Sequence, residues 1–112
     1  MFVNISNRQV DPMDDKSFQK IAKALADPRR FEIFQTIADA KQEVSCGKVS
    51  ERNCTVSQPT VSHHIKELKE AGLLEVRHEG QSKYLTVNNE LMSEYIAELQ
   101  NRLHLSAIAK VS

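Results

Sequence analysis

The sequence predicts a mainly α-helical domain that carries one small β-hairpin. Three observations point there. Glycine and proline are scarce, three of each in 112 residues, too few for a turn-dense all-β chain. Apolar residues recur at helical spacing in several separate segments, and only between Leu74 and Val87 does the period switch to two. The length suits one domain, and 40% apolar residues allow one modest core. No run of about 18 uncharged apolar residues is present to cross a bilayer.

Residues 1–13 lack a helical period, and Pro12 interrupts them. An N-terminal arm is expected over 1–13, one domain over 14–106 and a tail over 107–112. Met1–Asp11 has neither a basic leader nor an apolar run of signal-peptide length, so a cytoplasmic location is expected. From Asp14, Phe18, Ile21, Ala22 and Leu25 fall at i, i+3, i+4 and i+7, one helical stripe. Asp27-Pro28 then reads as a cap and a first-turn proline. It opens a second helix to about Asp39 with a wide apolar face of Phe31, Ile33, Phe34, Ile37 and Ala38. Ser45 is a plausible cap for a third helix to about Asn53, with Val44 and Val49 placed as a hydrophobic staple.

The same signal recurs at Ser57, flanked by Val56 and Val61. A fourth helix over Gln58–Ala71 buries Val61, Ile65 and Leu68, and Gly72 ends it. Two capped helices joined by a tight turn form a helix-turn-helix pattern. Leu74, Val76, Leu85 and Val87 then share one strand face, and Glu79-Gly80-Gln81-Ser82 turns between the strands. A hairpin directly after such a helix is a wing. The expected fold is therefore a winged helix-turn-helix, about five helices plus a two-stranded wing. The last helix, about Asn89 to His104, carries Leu91, Met92, Tyr95, Ile96, Leu99 and Leu103. That stripe is wider than a small core needs, and its surplus suggests a dimer surface.

On a wheel of about 100° per residue, Ile65 and Leu68 fall within about 40° of Val61. Pro59, Ser62, His63 and Lys66 gather on the other side, with Gln58 and Thr60 in the first turn. Glutamine, threonine and serine can bond base edges, and a groove-entering helix offers its N-terminal residues to them. His63 can donate to a base or a phosphate, and Lys66, a turn later, suits phosphate. In the wing, Arg77, His78 and Lys83 flank the turn; Arg77 and Lys83 are the expected phosphate contacts. Arg30 sits where the helix dipole disfavours a cation, and reaching outward to a phosphate or a carboxylate accounts for it. The expected DNA-binding residues are Ser57, Gln58, Thr60, Ser62, His63, Lys66, Arg77, Lys83 and Arg30. His64, about 60° from Val61, reads as a partly buried packing histidine.

Lysine plus arginine and aspartate plus glutamate each number 15, for a formal net charge of zero. Gripping anionic polymers by bulk charge is thereby excluded. Residues 57–83 are neutral as well, with Lys66, Lys69, Arg77 and Lys83 against Glu67, Glu70, Glu75 and Glu79. What favours DNA is charge placement, so non-specific binding should be weak. Glu90, Glu94 and Glu98 should face away from the duplex.

These residues resemble the ArsR/SmtB family of bacterial winged-helix repressors. The matching stretches are Leu25-Ala26-Asp27-Pro28-Arg29-Arg30, then Ser57-Gln58-Pro59-Thr60-Val61-Ser62-His63-His64-Ile65-Lys66-Glu67-Leu68, then Glu70-Ala71-Gly72-Leu73-Leu74 and the wing segment from Arg77 to Tyr84. The resemblance covers roughly Asp14 to His104. It implies a homodimer formed through the first and last helices, here through Phe18, Ile21, Leu91, Tyr95, Leu99 and Leu103. It implies an operator bound as double-stranded DNA, with transcription blocked until an effector releases it. Many members sense metals. The family's thiolate positions here hold Ser45 and Gly47 with Cys46 between them. Its last-helix ligand positions hold Asn89, Leu91, Arg102 and Leu105. Leucine and arginine are not ordinary metal ligands, so no metal and no other cofactor is expected at those sites.

Cys46 and Cys54 are too few for a disulfide framework. Eight residues apart, they lie about 12 Å apart along a helix, too far to bridge. Cys46 near a helix start is a candidate low-pKa thiol, so a thiol-redox-responsive repressor is the alternative. A winged domain that binds protein in place of DNA would need an apolar face where Gln, Thr, Ser, His and Lys stand. An enzyme is not expected, because no nucleophile elbow or Gly-rich loop is present.

Overall fold

The computed structural model describes residues 13–105. Its elements run α1 (Asp15–Ala26), α2 (Pro28–Asp39), β1 (Val44–Ser45), α3 (Cys46–Arg52), α4 (Gln58–Glu70), β2 (Leu74–Glu79), β3 (Ser82–Val87) and α5 (Asn89–Arg102). The arm read over 1–13 (apart from Met13) and the tail over 107–112 lie outside the described residues.

Every described helix is opened by a short polar side chain that accepts one of its unpaired N–H groups. Asp14 takes Ser17 N at 2.7 Å and Asp27 takes Arg30 N at 3.0 Å. Ser45 takes Lys48 N at 3.1 Å and Ser57 takes Thr60 N at 3.3 Å. Asn88 takes Leu91 N at 3.1 Å. Asn88 also donates from Nδ2 to Gly72 O at 3.0 Å and from its backbone to Leu73 O at 2.9 Å. One residue thus fastens the end of α4, the root of the wing and the start of α5. Gly72 closes α4 at φ +85°, a left-handed position that suits glycine.

The sheet has three strands in the order β1-β3-β2, all antiparallel. The hairpin pairs Leu74 with Val87, Val76 with Leu85 and Arg77 with Tyr84. Its turn is Gly80-Gln81 between the paired Glu79 and Ser82, with Gly80 at φ +61°. A glycine first in a two-residue loop matches a turn that follows strand twist. The third strand was not anticipated from sequence. Val44 and Ser45 pair with Leu85 and Tyr84, and two residues are too short to show an alternating pattern.

The core lies between the helices and the inner sheet face. Val49, Val61, Leu68, Leu73 and Leu85 are fully buried, and Ile21, Ile33 and Ile37 nearly so. Phe18 and Tyr95 join α1 to α5, ring centroids 5.2 Å apart. The expected α2 face is narrower than read. Phe34, Ile37 and Ile33 point inward, while Phe31 is 47% exposed and Ala38 is also exposed. Phe31 lies about 110° from the centre of the buried arc, beyond its rim. In α4 the arc is rotated the same way. His64 is buried with Val61 and Leu68, and Ile65 is only half-buried. Among the described residues, no helix is long and apolar enough to cross a membrane.

Candidate nucleic-acid interface

Ser57, Gln58, Thr60, Ser62, His63 and Lys66 are all exposed. Ser62, His63 and Lys66 lie on the side of α4 away from Val61 and Leu68, with Gln58 and Thr60 flanking them in the first turn and Ser57 at the cap. Their states differ. The Ser57 and Thr60 hydroxyls hold each other at 2.8 Å, and Ser57 also caps the helix. Their capacity for bases is therefore partly spent. Gln58, Ser62 and His63 make no side-chain hydrogen bond within the described residues, so their donors and acceptors point to solvent. Lys66 stands 3.8 Å from Glu70, both exposed. Such a pair is weak, and Lys66 can swing away from it.

Arg30 is half-buried and turns one of its donors inward. Its Nε donates to His64 Nδ1 at 3.3 Å, which joins the start of α2 to the inner side of α4. Accepting at Nδ1 means that neutral His64 carries its proton on Nε2. Burial pushes the His64 pKa down, and the charges of Arg30, His63 and Arg29 add to this against the pull of Asp27. Asp27 itself is held below the usual carboxylate range, chiefly by the Arg30 N–H that it caps.

The wing also departs from expectation. Arg77 donates from Nε and Nη2 to Glu43 at 2.6 and 2.8 Å and from Nη1 to Glu79 at 2.8 Å. Its guanidinium lies 4.7 Å over the Tyr84 ring. Arg77 is thus a paired cation in place of a free phosphate contact, and Lys83 and His78 are the exposed basic groups near the tip. Glu43 escaped the sequence reading because its partner lies 34 residues away, and no period links such positions.

Cys46 is half-buried and Cys54 exposed, and both are free thiols. Burial pushes the Cys46 thiol pKa up, and Lys83 offsets only part of this. The low-pKa thiol expected at this helix start is corrected accordingly, since desolvation outweighs the pull of Lys83. Among the described residues no three His, Cys, Asp or Glu side chains gather as a metal site would need. Arg102, at a family ligand position, is engaged by Glu98 at 2.7 Å and Asp15 at 3.0 Å and lies 4.1 Å over Phe18.

The residues expected at a dimer surface divide into two sets. Ile21 is 1% exposed, and Phe18 and Tyr95 are buried as well. All three are used by the chain's own core, because α1 turns its stripe inward against α2 and α5. Leu91 and Leu99 are half-buried and Leu103 is exposed. Exposed Ile96, which the dimer set had omitted, lies within about 60° of Leu99 and Leu103 around α5 and well away from Leu91.

This arrangement of a capped polar helix, a tight turn and a wing has known relatives. Residues 25–77 match a helix-turn-helix domain family. The HTH-type transcriptional regulator YceK of Bacillus subtilis is 36% identical over 83 residues, covering 74% of this chain and 82% of that one. An arsenical resistance operon repressor of Staphylococcus xylosus is 33% identical over 88 residues, 75% of this chain and 77% of that one. The chain belongs to the ArsR/SmtB family of winged helix-turn-helix transcriptional regulators. The solution structure of a homodimeric winged helix-turn-helix DNA-binding domain from Mycobacterium bovis shares the fold. Its TM-score is 0.62 at 21% identity, covering 92% of this chain and all of that one. The family is one of DNA-binding regulators and not of enzymes.

Proposed function

We propose that this regulator is a homodimeric repressor that binds an inverted-repeat operator in double-stranded DNA. The observation that carries the reading is the unpaired polar face of α4. Gln58, Ser62 and His63 stand exposed in its first two turns, backed by a fully buried Val61 and Leu68. A helix so anchored presents base-reading groups rigidly to a major groove. Lys66 and Lys83 supply phosphate contacts on either side. An apolar protein-docking face is not what α4 offers, and the raised Cys46 thiol does not favour a redox trigger.

The dimer reading rests on the apolar stripe of Met92, Ile96, Leu99 and Leu103 on α5. Exposed Ile96 and Leu103 cap the half-buried Met92 and Leu99. The proposal requires a two-fold through this face that brings two α4 helices to successive major grooves, about 34–36 Å apart. The family's metal ligands are replaced here, so the releasing signal differs from a metal at those positions. Selecting bound duplexes from a random pool tests the proposal. An inverted repeat with half-sites about one helical turn apart is expected. Recovery of no enriched sequence would refute sequence-specific binding.

A further inference from the structure

We infer that Glu43 sets the regulator's affinity for the DNA backbone by withholding the Arg77 guanidinium from phosphate. The inference rests on the DNA-binding reading above. Arg77 is the only arginine of the hairpin and by sequence its best phosphate ligand. Yet Nε and Nη2 both face Glu43 oxygens, at 2.6 and 2.8 Å, the two-pronged geometry in which arginine binds a carboxylate or a phosphate most strongly. Nη1 is taken by Glu79 at 2.8 Å, and one face lies over Tyr84. Three of the five guanidinium N–H groups are thereby engaged, and a phosphate seeking the Nε–Nη2 edge would have to displace the Glu43 carboxylate.

The backbone delivers Glu43 to that position. It immediately precedes β1, whose Ser45 pairs with Tyr84, and Tyr84 pairs across the hairpin with Arg77. The short third strand therefore holds the segment bearing Glu43 against the wing. One cation between two carboxylates leaves a local excess of one negative charge. An approaching phosphate meets repulsion from Glu43 and Glu79 as well as a competitor for the guanidinium. The group is exposed and adds little to stability, but its two-pronged contact with Glu43 and the second carboxylate of Glu79 set it apart from a single-contact pair such as Lys66 and Glu70.

The test measures affinity of the full chain for a random-sequence duplex between 50 and 200 mM salt, by fluorescence anisotropy. Glu43→Gln should bind more tightly and steepen the dependence of log affinity on log salt by about 0.9, one phosphate's share. The gain would then be about threefold larger at the low-salt end. Glu43→Ala, which removes the acceptor entirely, should steepen it likewise. Arg77→Ala should leave the wild-type slope unchanged, and Glu43→Gln with Arg77→Ala should return to it. Equal slopes for wild type and both Glu43 variants would overturn the inference. So would a fall of about 0.9 on Arg77→Ala alone, or a steepening that survives in the double variant. Each of these results leaves DNA binding itself standing. A wild type with no affinity for any duplex at the lowest salt would overturn both readings. Thermal unfolding of each variant separates a change in binding from a loss of fold.

Discussion

His64 shows how one side chain can belong to the core and still answer to solvent conditions. It is 7% exposed and accepts from Arg30, an arrangement that requires the neutral ring. Its pKa is lowered by burial first. The unfolded chain, with a histidine near about 6.5, therefore binds a proton before the folded one does. Stability is fully present above that value and declines as pH falls toward the native His64 pKa. The stability advantage of wild type over His64→Gln, measured by urea unfolding, should be constant at pH 8 and shrink below about 6.5. An advantage that does not change with pH would contradict the account. On the outer side of the same helix, Ser62→Ala and His63→Ala should each weaken binding to the selected operator by about 1–3 kcal/mol while sparing random duplex. Lys83→Ala should weaken both and flatten the salt slope by about one. Competition gel shifts distinguish the two patterns. The wheel placed Ser62 and His63 on the surface and His64 near the core. It could not supply Arg30 as the partner of His64, because that bond depends on how α2 crosses α4.

At the scale of elements, the caps made the sequence readable. Asp27, Ser45 and Ser57 announced three helix starts, and each takes the expected N–H. Gly72 announced an end, and the switch to period two announced the hairpin. The unread parts are those in which the signal is short or distant. β1 has two residues, and Asn88 works through bonds to both α5 and the α4–β2 turn. Asn88→Ala removes a cap and leaves Gly72 O without its donor. A loss of about 1–2 kcal/mol in urea unfolding is expected. A change within about 0.5 kcal/mol would instead place it among ordinary surface substitutions.

For the molecule as a whole, the open question is what covers α5. Leu103 is 58% and Ile96 48% exposed, whereas Ile21, Phe18 and Tyr95 are committed to the interior. Ile96→Asp and Leu103→Asp should therefore shift the chain from dimer to monomer in sedimentation at micromolar concentration and leave its helical circular dichroism intact. Operator affinity should fall with the dimer, since two half-sites would no longer be bound together. Wild-type sedimentation as monomer alone would remove the basis for both expectations. Overall neutrality gives the dimer added weight. With no net charge, the chain should draw little affinity from bulk attraction, and under the proposed function it should depend on paired, correctly spaced recognition helices.

The strand order has a consequence for solubility. With β3 in the middle, the sheet ends on β1 at one side and β2 at the other. The first edge is two residues long, and the second carries exposed Glu75, Arg77, His78 and Glu79. Short edges and charged edges both resist pairing with a strand from another molecule. A hairpin held out in solvent is an obvious seed for open-ended stacking, and among the described residues neither border presents a long, uncharged strand. Association is left to the apolar face on α5, where the proposed two-fold contact would close on itself and stop at two chains.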